Sequence, residues 1–418
     1  MSPDGWNRCR IGDIFTVARG GSPRPIDAYL TDDPEGINWV KIGDATASGK
    51  FIRTTKERIK PEGLSKTRRV IPGDFILSNS MSFGRPYIMA IDGCIHDGWL
   101  LLRPNDENSI DREFYFYLLG SDILQQLFST QAAGSAVRNL NIDLVAAVEV
   151  QVPPLDEQRR IAEILSSVDE AIAATRAVIE QTIKVKQGVL ERLLTKGIDH
   201  TRFKQTEIGE IPEEWPLTNA DDVCTQISVG IVIKPSQYYV ESGVRCFRSA
   251  NVREGFVEDA DWVYISEEGN RVNQKSVLRA GDVLVVRTGY PGTSCVVPPR
   301  YDGANCIDII FARPKIELVD PYFLSTFINS ASGKTQVLKA EGGLAQKHFN
   351  VGAMKQMKLP LPPLHEQHEI VAHIQEFAST EAALERILEQ RLRLKSALMS
   401  DLLTGRKRVT DALPMAAE

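Results

Sequence analysis

The densest concentration of usable chemistry in the chain is a run of cations. From Lys50 to Arg69 the residues read K-F-I-R-T-T-K-E-R-I-K-P-E-G-L-S-K-T-R-R, eight basic side chains against two acids, Glu57 and Glu62. Such an excess suits phosphate contact, which supplies affinity and salt dependence but no sequence information. The alternative is a solvated surface run. Lys66, Arg68 and Arg69 close that stretch. Reading base edges would need polar side chains on exposed turns. Two matched turns offer them: Ser78, Asn79, Ser80, Ser82 and Arg85 in 78–85, and Arg287, Thr288, Tyr290 and Thr293 in 287–293. The turns Gly20-Gly21-Ser22-Pro23-Arg24 and Gly134-Ser135-Ala136-Val137-Arg138 add Ser22, Arg24, Ser135 and Arg138. Lys234, Arg248, Asn251 and Lys347 complete the candidate contacts.

Catalytic patterns are missing where they could be sought. No lysine has Asp or Glu two residues before it, so the D/E-x-K element of a metal-dependent nuclease core is absent. Gly333-Lys334-Thr335 would need a glycine at 328 to form a phosphate loop, and that residue is Ile328. Pro153-Pro154 and Pro362-Pro363 lack the flanks of the adenine-methyltransferase pattern. There is no G-x-S-x-G elbow and no H-E-x-x-H. His365, His368 and His373 cluster at one predicted helix start, where a solvated helix face is the simpler reading than a ligand set. The chain reads as non-catalytic.

Composition narrows the class. With 43% hydrophobic and 25% charged residues in 418, the chain is an ordinary globular protein with room for two or three domains. A formal net charge of -6 excludes a uniformly basic coat but not a locally basic face. No apolar run reaches the roughly 18 residues of a membrane span, and Met1 to Arg10 lacks an apolar signal core. The six cysteines show no C-x-x-C spacing and read as reduced thiols. The expectation is a cytoplasmic protein without metal or membrane.

The elements that position these residues come from an internal repeat. V-P-P-L-D-E-Q at 152–158 returns as L-P-P-L-H-E-Q at 361–367. The same shift of 209, varying by one residue, carries Trp6 onto Trp215, Asp111 onto Asp320, Asn141 onto Asn350, Gly73-Asp74 onto Gly281-Asp282, Gly84 onto Gly292 and Arg103-Pro104 onto Arg313-Pro314. A whole module is therefore written twice. Each copy opens with about 150 residues of short β-like runs, with helices predicted over Glu113 to Phe128 and Tyr322 to Leu338. Each then continues into a helix of about 40 residues, about 60 Å long. The first helix carries a seam of Ile161, Leu165, Val168, Ile172, Thr175, Ile179, Thr182, Lys186, Val189 and Leu193. The second repeats it with Ile370, Ile374, Phe377, Glu381, Leu384, Leu388, Arg391, Lys395, Leu398 and Leu402. Spacing of four and three is a heptad seam, which needs a partner helix. Pairing with the other copy gives an antiparallel coiled coil, a spacer with two heads; packing on its own α/β domain is the alternative. The expected fold is α+β: a first domain over 1–152, a helix over 153–198, a second domain over 199–361, a helix over 362–405 and a tail over 406–418.

The tandem P-P-L-x-E-Q boxes, each opening a long helix that ends near L-L-T, resemble the specificity subunit of type I restriction–modification systems. Gly73-Asp74-Phe75-Ile76-Leu77 with Ser82-Phe83-Gly84-Arg85, and Gly281-Asp282-Val283-Leu284 with the turn ending at Gly292, resemble its target-recognition domains. The likeness covers nearly the whole chain. His365 stands where the first box has Asp156, and Tyr290-Pro291 where the first turn has Ser82-Phe83. The resemblance implies a non-catalytic protein in which each domain reads one half of a bipartite site in double-stranded DNA and the helices set the gap. It implies two methyltransferase (modification) subunits and restriction/translocase subunits as partners. It implies no cofactor in this chain, with S-adenosylmethionine, ATP and magnesium on the partners. The boxes, with Leu155, Glu157, Gln158, Leu364, Glu366 and Gln367, would help dock those partners. A two-headed protein-binding scaffold with no DNA role is the competing reading; a self-contained hydrolase or transferase is the third.

Overall fold

The computed structural model describes residues 5–46, 49–79, 84–133, 140–341 and 348–409. The chain forms two compact units, Met1–Ala177 with Arg386–Glu418, and Val178–Glu385. Each long helix is thus divided between the units.

The first unit holds two five-stranded sheets. One runs, in spatial order, Phe15–Arg19, Trp99–Pro104, Phe75–Ser78, Pro86–Met89 and Phe51–Ile52. The other runs Leu30–Thr31, Glu57–Ile59, Ile37–Val40, Gly93–Ile95 and Arg68–Val70. Strand alternation explains why Phe75-Ile76-Leu77 is apolar throughout. Phe75 and Leu77 enter one core with the helices, while Ile76 faces a second core with Val40, Ile95 and Trp99. Both faces of the strand are buried, as a near-continuous hydrophobic run requires.

The second unit repeats the plan. Its main sheet runs Cys224–Val229, Ile309–Pro314, Val283–Val286 and Ser294–Val296. These match the first four strands of the main sheet in the first unit. Val283 and Val285 enter one core, Leu284 and Val286 the other.

The residues matched by the repeat hold the same structural posts. Asp74 is buried and accepts two bonds from Arg103, at 2.8 and 2.6 Å; Asp282 accepts two from Arg313, both at 2.8 Å. Asp111 and Asp320 each cap a helix by accepting backbone N–H bonds, as do Asn141 and Asn350.

The long helices span Leu155–Lys196 and Leu364–Leu402. Their seams face inward, and the pairing is antiparallel in each unit. In the first unit Lys395 meets Asp169 at 2.6 Å, and Arg391 donates to the Ala171 carbonyl at 2.6 Å and to the Thr175 hydroxyl. In the second, Lys186 meets Glu381 at 2.8 Å. Thr175, Lys186, Glu381, Arg391 and Lys395 are thus paired across the seam, and such pairs fix register and orientation.

Two details differ from the sequence reading. The helix expected over Glu113 to Phe128 is two, Arg112–Leu119 and Asp122–Ala133, and that over Tyr322 to Leu338 is also two, Pro321–Asn329 and Ala331–Glu341. Gly120 caps the first break and Ser330, with extended backbone, makes the second.

Candidate nucleic-acid interface

Strand register places most of the candidate residues of each unit at one end of its main sheet. Arg19 pairs with Leu100 and Trp99 with Ser78, so the segments after Arg19, before Trp99 and after Ser78 leave together. In the second unit Val229 pairs with Ile310 and Val286 with Ile309, and the corresponding three segments leave together.

The backbone of this end is the same in both copies. Ser78 N–H donates to Arg85 O and Gly84 N–H to Ser78 O; Val286 N–H donates to Thr293 O and Gly292 N–H to Val286 O. Gly84 and Gly292 have φ of +73° and +82°, which other residues adopt only under strain. Leu140 N–H donates to Asn79 O, and Phe349 N–H to Arg287 O. Gly20 and Gly230 let a second turn pass closely: a Cβ there would sit 2.0 Å from the His96 carbonyl oxygen and 2.2 Å from that of Cys306.

The side chains on this shared frame differ. In the first unit the turn before Trp99 carries Asp97. Its carboxylate accepts from Ser22 at 2.8 Å and lies 3.6 Å from Arg24, while its carbonyl accepts from Asn79 at 2.7 Å and from Arg19 at 3.3 Å. Burial works against ionisation of Asp97, but Ser22, His96 and Arg24 outweigh it and hold the carboxyl below its ordinary range. Arg68 donates to the Arg19 carbonyl at 3.3 Å, and Lys66 lies over the Tyr29 ring at 4.7 Å. Arg24, Lys66 and Arg68 are exposed. Arg85 lies over the Tyr87 ring at 5.5 Å. In the second unit the corresponding turn carries Asp308, and Arg287 grips it at 2.6 Å while donating to the Phe349 carbonyl at 3.3 Å. Lys234 is exposed, Thr288 and Thr293 are half-buried, and Tyr290 is 83% exposed.

Other candidates fall elsewhere. Ser78 and Asn79 are buried. Asn251 is fully buried and ties a turn together through Arg248 N–H and the Glu258 and Ala260 carbonyls. The Arg248 guanidinium bonds the Asp261 carbonyl at 2.5 Å. Arg69, next on the strand after Arg68, points to the other face and pairs with Asp92 at 3.4 Å. The basic run does not make one surface: Lys50 packs on Phe116 and Tyr117 and pairs with Glu113 at 3.1 Å. Ser80, Ser82, Ser135, Arg138 and Lys347 lie outside the described residues.

The P-P-L-x-E-Q boxes turn inward. Glu157 and Gln158 are buried, as are Glu366 and Gln367, whereas Leu155 and Leu364 are half-buried. Gln158 accepts from Asp111 N–H at 2.8 Å and Gln367 from Asp320 N–H at 2.8 Å, joining each helix start to its own α/β domain. Glu157 accepts from Trp6 and is gripped by Arg408; Glu366 accepts from Trp215 and from Ile198 N–H and meets His200 at 3.0 Å. Burial would raise the Glu157 carboxyl, but the Arg408 and Trp6 bonds prevail and lower it. An acid that is buried and bonded in this way is engaged within its own unit.

Sequence reading missed Asp97, Asp308, Arg408 and His200. The two turn acids repeat at a shift of 211, outside the window the other matches defined; Arg408 and His200 occupy matched positions with different side chains. Among the described residues no cluster of His, Cys, Asp and Glu could hold a metal, and no helix is long and apolar enough to cross a membrane.

A repeated scaffold with unlike side chains at one sheet end defines a protein with two related recognition modules. The chain belongs to the family described as type I restriction modification DNA specificity domain, whose model matches residues 3–184 and again 212–393. It is 27% identical to the type I restriction enzyme MjaVIII specificity subunit of Methanocaldococcus jannaschii, over 97% of this chain and 94% of that one. It is 23% identical to the EcoKI specificity subunit of Escherichia coli K12, over 96% and 88%. Among solved structures it is similar to a chain from a study of complex assembly and conformational transition of the type I R-M system, with TM-score 0.69, 19% identity and coverage of 97% and 100%. It is also similar to the HsdS subunit from Thermoanaerobacter tengcongensis, with TM-score 0.53, 21% identity and coverage of 97% and 98%. These likenesses show a shared fold.

Proposed function

We propose that each module reads one half of a bipartite site in double-stranded DNA through the loops at its main-sheet end, and that the paired helices set the gap between the halves. The observation that carries this reading is the duplicated sheet end, one backbone frame bearing Ser22, Arg24, Lys66, Arg68 and Arg85 in one copy and Lys234, Arg287, Thr288, Tyr290 and Thr293 in the other. Two half-sites of different sequence need such a common frame with different tips. Ser80, Ser82, Ser135, Arg138 and Lys347 belong to the same proposal by their place in the sequence. The competing scaffold reading finds no support in the family.

The chain acts in the cytoplasm with two methyltransferase subunits and with restriction/translocase subunits, which bring S-adenosylmethionine, ATP and magnesium. Since Glu157, Gln158, Glu366 and Gln367 are buried, partner docking falls to the outer helix faces, where Val178, Val185, Leu392 and Leu394 are exposed.

The test is to delete one heptad from each long helix and map the methylated motif by methylome sequencing of cells carrying the complete system. The expected result is two unchanged half-sites with an altered gap. An unaltered gap would overturn the role given to the helices, and a motif without two parts would overturn the reading as a whole.

A further inference from the structure

The sheet ends of the two modules differ in chemical character as well as in sequence. In the first, three exposed cations stand at this end: Arg24 lies 3.6 Å from Asp97, Arg68 donates to the Arg19 carbonyl, and Lys66 lies over the Tyr29 ring. In the second, the cation nearest the matched acid is drawn in, since Arg287 is held by Asp308 at 2.6 Å and by the Phe349 carbonyl. Beside the exposed Lys234, this end also exposes apolar side chains. Ile233 is 77% exposed, on the segment that leaves the sheet after Val229, and Tyr290 is 83% exposed at the tip of the neighbouring turn. By register with Arg24 and Lys234, Ile233 stands where the first module has the buried Pro23.

The Tyr290 turn is not a loose excursion. Backbone bonds from Gly292 to Val286, from Val286 to Thr293 and from Thr293 to Tyr290 close it, with Gly289 and Gly292 supplying the positive φ that its shape requires. The Tyr290 side chain makes no hydrogen bond or ring contact with the described residues. A rigid turn that holds an aromatic ring in water presents apolar area with little ordering cost on binding.

We infer that the second module contacts its half-site through apolar side chains, the Tyr290 ring against a base and Ile233 beside it, whereas the first module is anchored mainly by cations on phosphates. The inference rests on the DNA-specificity reading above. Apolar contact of a side chain with a base edge in the groove, such as the thymine methyl, adds affinity without releasing counterions, while a cation on a phosphate steepens the salt dependence.

The experiment measures binding of a duplex containing the methylated motif to the complete methyltransferase complex over a range of salt, with Tyr290→Ala, Tyr290→Phe, Ile233→Ala and Arg24→Ala/Arg68→Ala. Tyr290→Ala is expected to weaken binding by roughly 5- to 100-fold, the worth of one base-pair contact, with an unchanged salt slope, and Tyr290→Phe to bind as the parent does. Ile233→Ala should weaken binding at the same slope. The double arginine variant should flatten the slope. Unaltered affinity in Tyr290→Ala, a flattened slope in that variant, or equal loss in Tyr290→Phe would each overturn the inference. Salt-insensitive or absent DNA binding by the unsubstituted complex would instead overturn the underlying reading. Both residues are exposed, so an unchanged unfolding temperature verifies that each variant is folded.

Discussion

The Trp6 indole N–H donates to the Glu157 carboxylate at 3.0 Å across 151 residues of sequence, and Trp215 donates to Glu366 at 3.0 Å across the same separation. Each bond ties the first strand region of a module to the start of its long helix. The third group differs: Arg408 grips Glu157, and His200, one residue off the 209 register, meets Glu366.

Arg408→Ala leaves Glu157 buried without its cation. Removing one partner of a buried pair costs about 3–5 kcal/mol, so the urea midpoint of the first unit should fall clearly. Restoring the loss by Glu157→Gln in the Arg408→Ala background would confirm that the orphaned charge, not lost packing, is responsible. No shift in midpoint would refute the lock.

Acid should reach the same lock. The folded Glu157 carboxyl lies below its ordinary value of 4.5. A depressed carboxyl contributes stability that is complete above the unfolded value and is lost as pH falls through the folded one. Thermal unfolding of the parent should therefore weaken below about pH 4.5 more steeply than that of Glu157→Gln. Parallel pH profiles would count against it.

The seam pair Lys186–Glu381 fixes helix alignment at 2.8 Å. Lys186→Glu places like charges there and should destabilise the second unit by about 1 kcal/mol, a loss the exchange Lys186→Glu/Glu381→Lys recovers. A double-mutant cycle in urea measures the coupling, and a coupling of zero would show the pair to be incidental.

Thiol reactivity gives an independent check on burial. Cys94, Cys224, Cys246 and Cys295 are buried and pushed up to about 12, and Cys306 is raised well above its usual value, whereas Cys9 is partly exposed. Native protein should modify first at Cys9, with the other five reacting only on unfolding. Rapid native modification of Cys295 would contradict the packing of the second unit.

Much of this architecture was legible because duplication doubles the signal. Gly73-Asp74 and Arg103-Pro104 matched their second copies, and the structure shows why: Asp and Arg form one buried pair in each module. The seam was legible even in its polar members, Lys186, Glu381, Arg391 and Lys395, because helical periodicity survives isolated polar residues. The interface was harder. Asn79 and Asn251 have the polar types that suit base reading, yet both are buried and hold turns. Side-chain type does not reveal which polar group its own backbone has already engaged. Asp97 and Asp308 were hidden because one turn is a residue shorter than the other.

The docking of Leu402, Leu403 and Val409 in the core of the first unit bears on synthesis. The second unit is one continuous stretch, but the first is interrupted by the whole of it. At about 5–20 residues per second, the ribosome takes roughly 10–50 s to travel from the end of the first stretch to Val409. During that interval the earliest-made module has an unfinished core, and the later-made one can mature ahead of it. The nascent chain therefore closes in reverse order, and the N-terminal module is the one for which a chaperone would have to wait.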